Sequence, residues 1–479
     1  MTAFFASLAL FVLLVAPLSA AVLALVPGAR VSRVAGRVGS LFAVGASLTL
    51  LASAASGRWG AYLGLDAVSD LFLFTVTSIY ATSVWYSDRY IRSVRRPFLT
   101  PQIYYALLSS FAFTMILTLV VTDLGLMWIG VEATTIASAL LVVLERTPTS
   151  IEAAWRYTLI ASAGLTIALF ALLLLYTSTG TLDAFTLAAH PPTATLPVVM
   201  AVALALVGYG TKVGLFPMHT WLPDAHSEAP SPVSAMLSGV LLPTALYAFL
   251  RVDQVLPAPA PVGLVDLELA FGVTTALVGA FLLQRQRSFK RMFAYSSMEV
   301  MGLALVGIAL GGIALYGALV LIVAHAFAKS AAFYCSGNVL RETGTTRIAE
   351  VRGLRSSMPW TSGTWLLASF AVTGAPPFGT FLGELLIVVG AFAVGAAGVG
   401  LLVILAIFVA FLGVNGQVGR MVFSELPEGT TGSVAPRSDS GVAVALLNVA
   451  IALAIGVVSL PYLSTGFHSA ATLLGGGVP

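Results

Sequence analysis

Apolar runs long enough to cross a bilayer recur along the whole of this 479-residue chain, and no other feature constrains its fold as much. They fall at about 3–26, 39–55, 69–86, 103–121, 124–145, 151–176, 197–215, 233–250, 264–284, 292–313, 315–340, 362–393, 396–418 and 441–464. A helix needs roughly 20 apolar residues to cross about 30 Å of hydrocarbon, so the pattern predicts fourteen transmembrane helices. A content of 58% hydrophobic and 9% charged residues, with mean hydropathy +0.98, excludes folding around a water-soluble core. The chain reads as an all-α polytopic membrane protein. Residues 3–26 read as the first helix rather than a leader, because no basic residue precedes the run.

The basic residues test the helix count independently. Of 23 lysines and arginines, nineteen follow odd-numbered helices: Arg30, Arg33, Arg37, Arg89, Arg92, Arg95, Arg96, Arg146, Arg156, Arg285, Arg287, Lys290, Arg291, Arg341, Arg347, Arg352, Arg355, Arg420 and Arg437. Arg58 and Arg251 alone fall after even-numbered ones. The positive-inside rule then makes the odd loops cytoplasmic and puts both termini on the external side of a prokaryotic cell membrane. A wrong count would scramble this parity.

The two basic residues left over, Lys212 and Lys329, lie inside apolar runs, as do Glu132, Glu299 and Glu384. Left unpaired, five mid-membrane charges at roughly 3 kcal/mol each would cost about 15 kcal/mol, as much as a whole domain's stability of about 5–15 kcal/mol. They must be paired, hydrated or partly neutral. Lys212 also precedes a break at Gly214 and Pro217, beyond which come His219, Asp224, His226 and Glu228. Helices break at membrane depth only where neighbouring protein or a cavity satisfies the freed backbone.

A second break, Thr373-Gly-Ala-Pro376-Pro377-Phe-Gly379, interrupts the twelfth run just before Glu384. Paired interrupted helices in corresponding halves point to a transporter core of inverted repeats. The expected division is an N-terminal three-helix region (1–102), a first inverted repeat of helices four to eight (103–251), a second of helices nine to thirteen (264–418) and a C-terminal fourteenth helix (441–464).

Burial favours the neutral form of a lysine or glutamate, whereas an opposite charge nearby favours the ionised form. A Glu132–Lys212 pair of variable separation is therefore a proton switch. His219 and His226, with Asp224 and Glu228, would form an uptake funnel on the cytoplasmic side, the two acids reading equally well as an ordinary solvated loop. His325 and Lys329 are four apart on one helix face, and a proton reaching them could leave through Glu384, with Glu299 as an auxiliary group. The five histidines show no metal-ligand spacing, and phosphate loops and nucleophile elbows are absent from the sequence. Cys335 is the single cysteine, so no intramolecular disulfide is available. The chain should move charge and hold no metal or cofactor of its own.

The run Lys212-Val-Gly-Leu-Phe-Pro-Met-His-Thr-Trp-Leu-Pro-Asp-Ala-His-Ser-Glu-Ala-Pro230 resembles the signature of the proton-translocating antiporter-like subunits of respiratory complex I, Mrp-type antiporters and membrane-bound hydrogenases. The likeness runs from about Asp66 to Val414 and includes Trp128-Ile-Gly-Val-Glu132, Lys290-Arg-Met-Phe-Ala-Tyr-Ser-Ser297, His325-Ala-Phe-Ala-Lys-Ser330 and Pro376-Pro-Phe-Gly-Thr-Phe-Leu-Gly-Glu384. By that resemblance Glu132 and Lys212 are the fifth- and seventh-helix pair, His219 the histidine beyond the break, Lys329 the central-axis lysine and Glu384 the exit residue. Glu384 in place of lysine is similar to complex I subunit M or the hydrogenase-4 F subunit. Tyr295-Ser-Ser-Met-Glu-Val-Met-Gly302 and Cys335-Ser-Gly-Asn338 are similar to the hydrogenase-type branch. The resemblance implies membrane and peripheral partner subunits that carry iron–sulfur clusters and nickel–iron or flavin centres. Two departures stand out: Leu241-Leu-Pro243 where many relatives have a lysine, and Val300 where hydrogenase-type relatives often have histidine. A sodium or potassium/proton antiporter of Mrp type is the alternative reading.

Overall fold

The computed structural model describes residues 2–94, 97–256, 261–425, 441–457 and 461–474. Arg95, Arg96 and Arg437 lie outside these residues. Numbered as spans, the helices are α1 (Thr2–Ala24), α2 (Ala29–Ser53), α3 (Ala67–Ser93), α4 (Pro101–Val120), α5 (Leu124–Val142) and α6 (Pro148–Thr179). The seventh span is broken into α7a (Leu196–Val213) and α7b (Trp221–Glu228), and α8 is Ser231–Asp253. Next come α9 (Val262–Leu283), α10 (Phe289–Leu310) and α11 (Gly312–Thr343), then the broken pair α12a (Pro359–Val372) and α12b (Gly379–Ala393), and α13 (Ala397–Phe423). Last are α14a (Val442–Val457) and α14b (Pro461–Leu473). Twelve of these spans are long and apolar enough to cross a bilayer as single units, and the twelfth and fourteenth are built from shorter pieces. Within the fourteenth run, expected at 441–464, residues 458–460 lie outside the described residues.

Local chemistry explains the sharp helix ends. Asp66, Thr100, Asp123 and Thr147 each cap a helix by accepting from the backbone N–H three residues on. The two junctions with almost no loop are therefore real turns: Val121–Asp123 separates α4 from α5, and Gly311 alone separates α10 from α11. A hairpin absent from the hydropathy pattern, β1 (Gly57–Trp59) paired antiparallel with β2 (Leu63–Leu65), closes the α2–α3 link.

Corresponding helices of the two halves are in contact: α4 with α5 and α9 with α10, α6 with α7a and α11 with α12a. The two breaks have the same backbone, a glycine at positive φ (Gly214 at 86°, Gly374 at 62°) followed three residues later by a proline after a cis peptide bond. Each break is satisfied from outside the helix, as lipid requires. The Phe216 N–H donates to Thr275 Oγ1 of α9 (3.0 Å), and Trp221 Nε1 donates to the Thr211 carbonyl (2.7 Å). At the second break Thr380 Oγ1 donates to the Ala371 carbonyl (2.5 Å) and Asn415 of α13 donates to Thr373 Oγ1 (2.8 Å). Gly456 of α14a lies directly against the Pro377 carbonyl and the backbone of Phe378 and Gly379.

Ionic ties hold the two ends of the bundle. At one, Asp88 joins Arg33, Arg37 and Arg92. At the other, Asp66 accepts from Arg251 (2.6 Å) and from the Ser69 N–H and hydroxyl. Burial alone would raise the Asp66 carboxyl, but Arg251 and Ser69 hold it below the usual value.

Candidate functional site

Glu132 and Lys212 face each other across α5 and α7a without forming an ion pair. Lys212 is fully buried; its Nζ donates to Thr135 Oγ1 (2.5 Å) and Tyr157 Oη (2.7 Å) and lies 4.6 Å from the centre of the Tyr157 ring. Glu132 accepts instead from Ser162 of α6 (2.6 Å), leaving Oε2 without a partner. Thr135, which accepts from Lys212, lies one helical turn from Glu132 on α5, so acid and amine are neighbours that do not touch. Glu132, Thr135 and Ser138 recur every three residues on α5, and Ser138 bonds the Tyr157 hydroxyl (2.8 Å). One helix face thus presents a carboxylate followed by two hydroxyls, a repeating polar stripe that could be read from the sequence.

The segment after the first break is helix, not loop, and this divides the expected funnel. Asp224 is tied to Arg156 (3.3 Å) and Arg291 (2.8 Å), and Glu228 accepts from Thr149 (2.8 Å). These acids clamp α6, α7b and α10 together. His219 is buried against Phe216 and Tyr295, with Nδ1 unpartnered. His226 turns wholly inward, fully buried between Trp221 and Phe333. Phe333 lies one turn beyond Lys329 on α11, so the ring belongs to the interior row of charges. Lys290, counted from sequence among the loop cations, is also buried and donates to the Ala229 carbonyl (2.5 Å).

Beyond His226, the row continues on α10, α11 and α12b. Lys329 Nζ donates to the Phe293 carbonyl (3.0 Å) and to Ser296 Oγ (2.9 Å). His325 lies one turn before it on α11, fully buried, with its ring against the Ser238 backbone. Glu299 lies three residues beyond Ser296 on α10, and Glu384 sits on α12b; both are buried. Glu384 folds back over Gly374 in the second break, so closely that a Cβ there would collide with its carboxylate. Its Oε2 has no hydrogen-bond partner.

Sequence reasoning picked out the ionisable residues of this row but not the hydroxyls that hold them: Thr135, Tyr157, Ser162 and Ser296. Serine and threonine are ordinary in membrane helices, where they also bond their own carbonyls, so composition gives them no contrast.

Two broken helices around a buried row of acids, lysines and histidines define an antiporter-like membrane protein. The chain belongs to the family described as NADH:quinone oxidoreductase/Mrp antiporter, TM, which matches residues 121–413. It is 34% identical over 351 residues to the Hydrogenase-4 component F homolog of Methylacidiphilum infernorum (isolate V4), covering 70% of this chain and 73% of that protein. The fold is shared with a chain of the membrane-bound sulfane sulfur reductase (MBS), an archaeal respiratory membrane complex, at TM-score 0.87, 22% identity and 98% coverage of each chain. It is shared equally with a chain of the Mrp complex from Dietzia sp. DQ12-45-1b, at TM-score 0.88, 20% identity and 98% coverage of each.

Proposed function

We propose that this chain is the proton-translocating subunit of a hydrogenase-type or complex I-like oxidoreductase. The carrying observation is Lys212, fully buried beside a broken helix and held by two neutral hydroxyls, one of them a single helical turn from a carboxylate the lysine does not touch. A lysine so placed can hold a proton while Glu132 is near and charged, and release it when Glu132 withdraws or is neutralised. The proton then moves from Glu132 and Lys212 toward His325 and Lys329 and leaves by Glu384, with His219, His226 and Glu299 as auxiliary groups. Asp224 and Glu228 act in the clamp. Helices four to eight and nine to thirteen serve as the two inverted repeats, each with its own broken helix. Both chain termini face the external side of a prokaryotic cell membrane. Redox chemistry belongs to partner subunits carrying iron–sulfur clusters and nickel–iron or flavin centres, a reading supported by the identity to the Hydrogenase-4 component F homolog.

The likeness to a chain of the Mrp complex favours a second reading, a sodium or potassium/proton antiporter subunit. Purification of the native complex, metal analysis and vesicle assays separate the two. Co-purifying iron–sulfur subunits and proton uptake driven by their electron donor are expected. Dye-detected cation/proton exchange in their absence would replace this reading with the second.

A further inference from the structure

We infer that protons cross between the two half-sites over a hydroxyl pair, Ser238 of α8 and Ser297 of α10. This deepens the relay proposed above and rests on it. Between Lys212 and Lys329 the chain must cross α8, whose stretch from Ser231 to Leu250 contains no acidic or basic side chain. What it contains is a π-helical turn, Leu237–Leu241, in the middle of an otherwise α-helical span. Such a turn widens the helix by one residue, leaves backbone groups off the regular ladder and is found mostly at functional sites.

The turn is seated against the second half-site. Gly239 packs so closely on α11 that a Cβ there would lie 3.0 Å from both the Ala326 carbonyl and Ser330 Oγ. The contacted residues, Ala326 and Ser330, each directly follow one of His325 and Lys329, and Ser238, fully buried, faces Ser297 of α10. Ser238 Oγ lies 2.5 Å from Ser297 Oγ. Ser297 in turn donates to the Phe293 carbonyl (3.0 Å), the same carbonyl that accepts from Lys329 Nζ (3.0 Å). With the Ser297 proton committed there, Ser238 must be the donor in the short contact. The donors therefore point in one direction, from Ser238 through Ser297 to the carbonyl shared with Lys329.

The step balances without leaving charge on a serine. When the Lys329 amine is neutral, Ser297 turns its O–H toward the amine lone pair. As that O–H bond breaks and an N–H bond forms, Ser297 takes the Ser238 proton, and Ser238 takes one released by the Lys212 ammonium and carried by intervening water. Lys329 gains one proton and becomes the ammonium, and Lys212 loses one and becomes the neutral amine. A hydroxyl accepts and donates at once, so this crossing needs no titrating group on α8.

The test uses the complete complex in proteoliposomes, comparing Ser238→Ala, Ser297→Ala, the double variant and Ser238→Thr with Lys212→Met and Lys329→Met. Donor-driven proton uptake should fall about tenfold in each alanine variant, the loss expected for one missing hydrogen-bonded step. The double variant should be no slower than either single one, the solvent isotope effect should rise, and Ser238→Thr should restore the rate. Should Ser238→Ala fail to assemble, Ser297→Ala reads the same step from α10. Normal uptake in the assembled serine variants, with uptake abolished in both lysine variants, overturns the hydroxyl crossing and leaves the relay standing. Normal uptake in all of them overturns the relay as well.

Discussion

Replacing Lys212 with methionine should abolish proton transfer while leaving the subunit folded, and the structure supplies both halves of that expectation. Methionine keeps most of the volume of this fully buried side chain, so no large cavity opens. Two hydrogen bonds from an ammonium are lost, to Thr135 and Tyr157, at about 1.5–3 kcal/mol each. Against that stands the relief of removing a charge from mid-membrane, about 2.5–3.5 kcal/mol. The difference is a net destabilisation of about 0–3 kcal/mol, and Tyr157 keeps its bond to Ser138. Loss of the lysine that takes up the proton next to Glu132, by contrast, should slow transfer by the 10²–10⁴-fold typical of a removed general acid–base group. Lys212→Arg makes the test sharper. Arginine keeps the charge and can donate to the same hydroxyls, but it does not give up its proton. It should assemble and remain inactive. The assay is donor-driven quenching of a ΔpH dye in proteoliposomes, with assembly checked by native electrophoresis and thermal melting. Near-normal uptake by an assembled Lys212→Arg complex would refute the argument, because the site would then need a charge and not a titration.

Other expectations follow from residues outside that pair. Gly374→Ala puts a Cβ at positive φ and into the Glu384 carboxylate, so it should destabilise by about 1–3 kcal/mol and suppress uptake, read by melting and dye quenching together. Asp224→Asn removes two partly exposed ion pairs; a loss of about 1 kcal/mol or less with uptake unchanged would separate a clamp from a funnel. Asp66 has its folded value held below 3.8 by Arg251 and Ser69. Its contribution is therefore fully present above pH 3.8 and is lost as the pH falls through that lower value. Asp66→Asn should remove this dependence from acid melting curves, at a loss of about 3–5 kcal/mol for breaking a largely buried pair.

How much could be read in advance depended on the kind of signal. Helices were legible because lipid demands length and hydrophobicity, and both breaks because glycine and proline stand three apart at Gly214/Pro217 and Gly374/Pro377. The buried ions were legible because charge is rare at membrane depth. His226 was misplaced for a physical reason: the sequence after the break looks polar, but Trp221 and Leu222 continue it as a helix that turns the histidine inward. Lys290 was misplaced similarly, since a lysine beside three arginines reads as a loop cation until packing draws it onto the Ala229 carbonyl. The π-turn left no trace because its residues, Leu237-Ser-Gly-Val-Leu241, suit an ordinary helix.

These misses and successes share a cause that bears on mechanism. The groups fixed in place are the ones that satisfy backbone: Thr275 on Phe216, Trp221 on Thr211, Thr380 on Ala371. Within the row, two carboxylates keep unused capacity, at Glu132 Oε2 and Glu384 Oε2. A buried polar atom without a partner is destabilising by about 1–3 kcal/mol, so keeping two such carboxylates in one row is not a packing economy. It makes sense if each must accept a proton or a new neighbour during turnover. The breaks are then best regarded as rigid supports, and the motion needed for transfer reduces to side chains. Glu132 leaves Ser162 to meet Lys212, or Lys212 leaves Thr135 and Tyr157 to meet Glu132, each exchanging a small number of hydrogen bonds for an ion pair. Such an exchange is close to balanced, which under the proposed relay would let a small change of charge in a neighbouring subunit decide which way the proton goes.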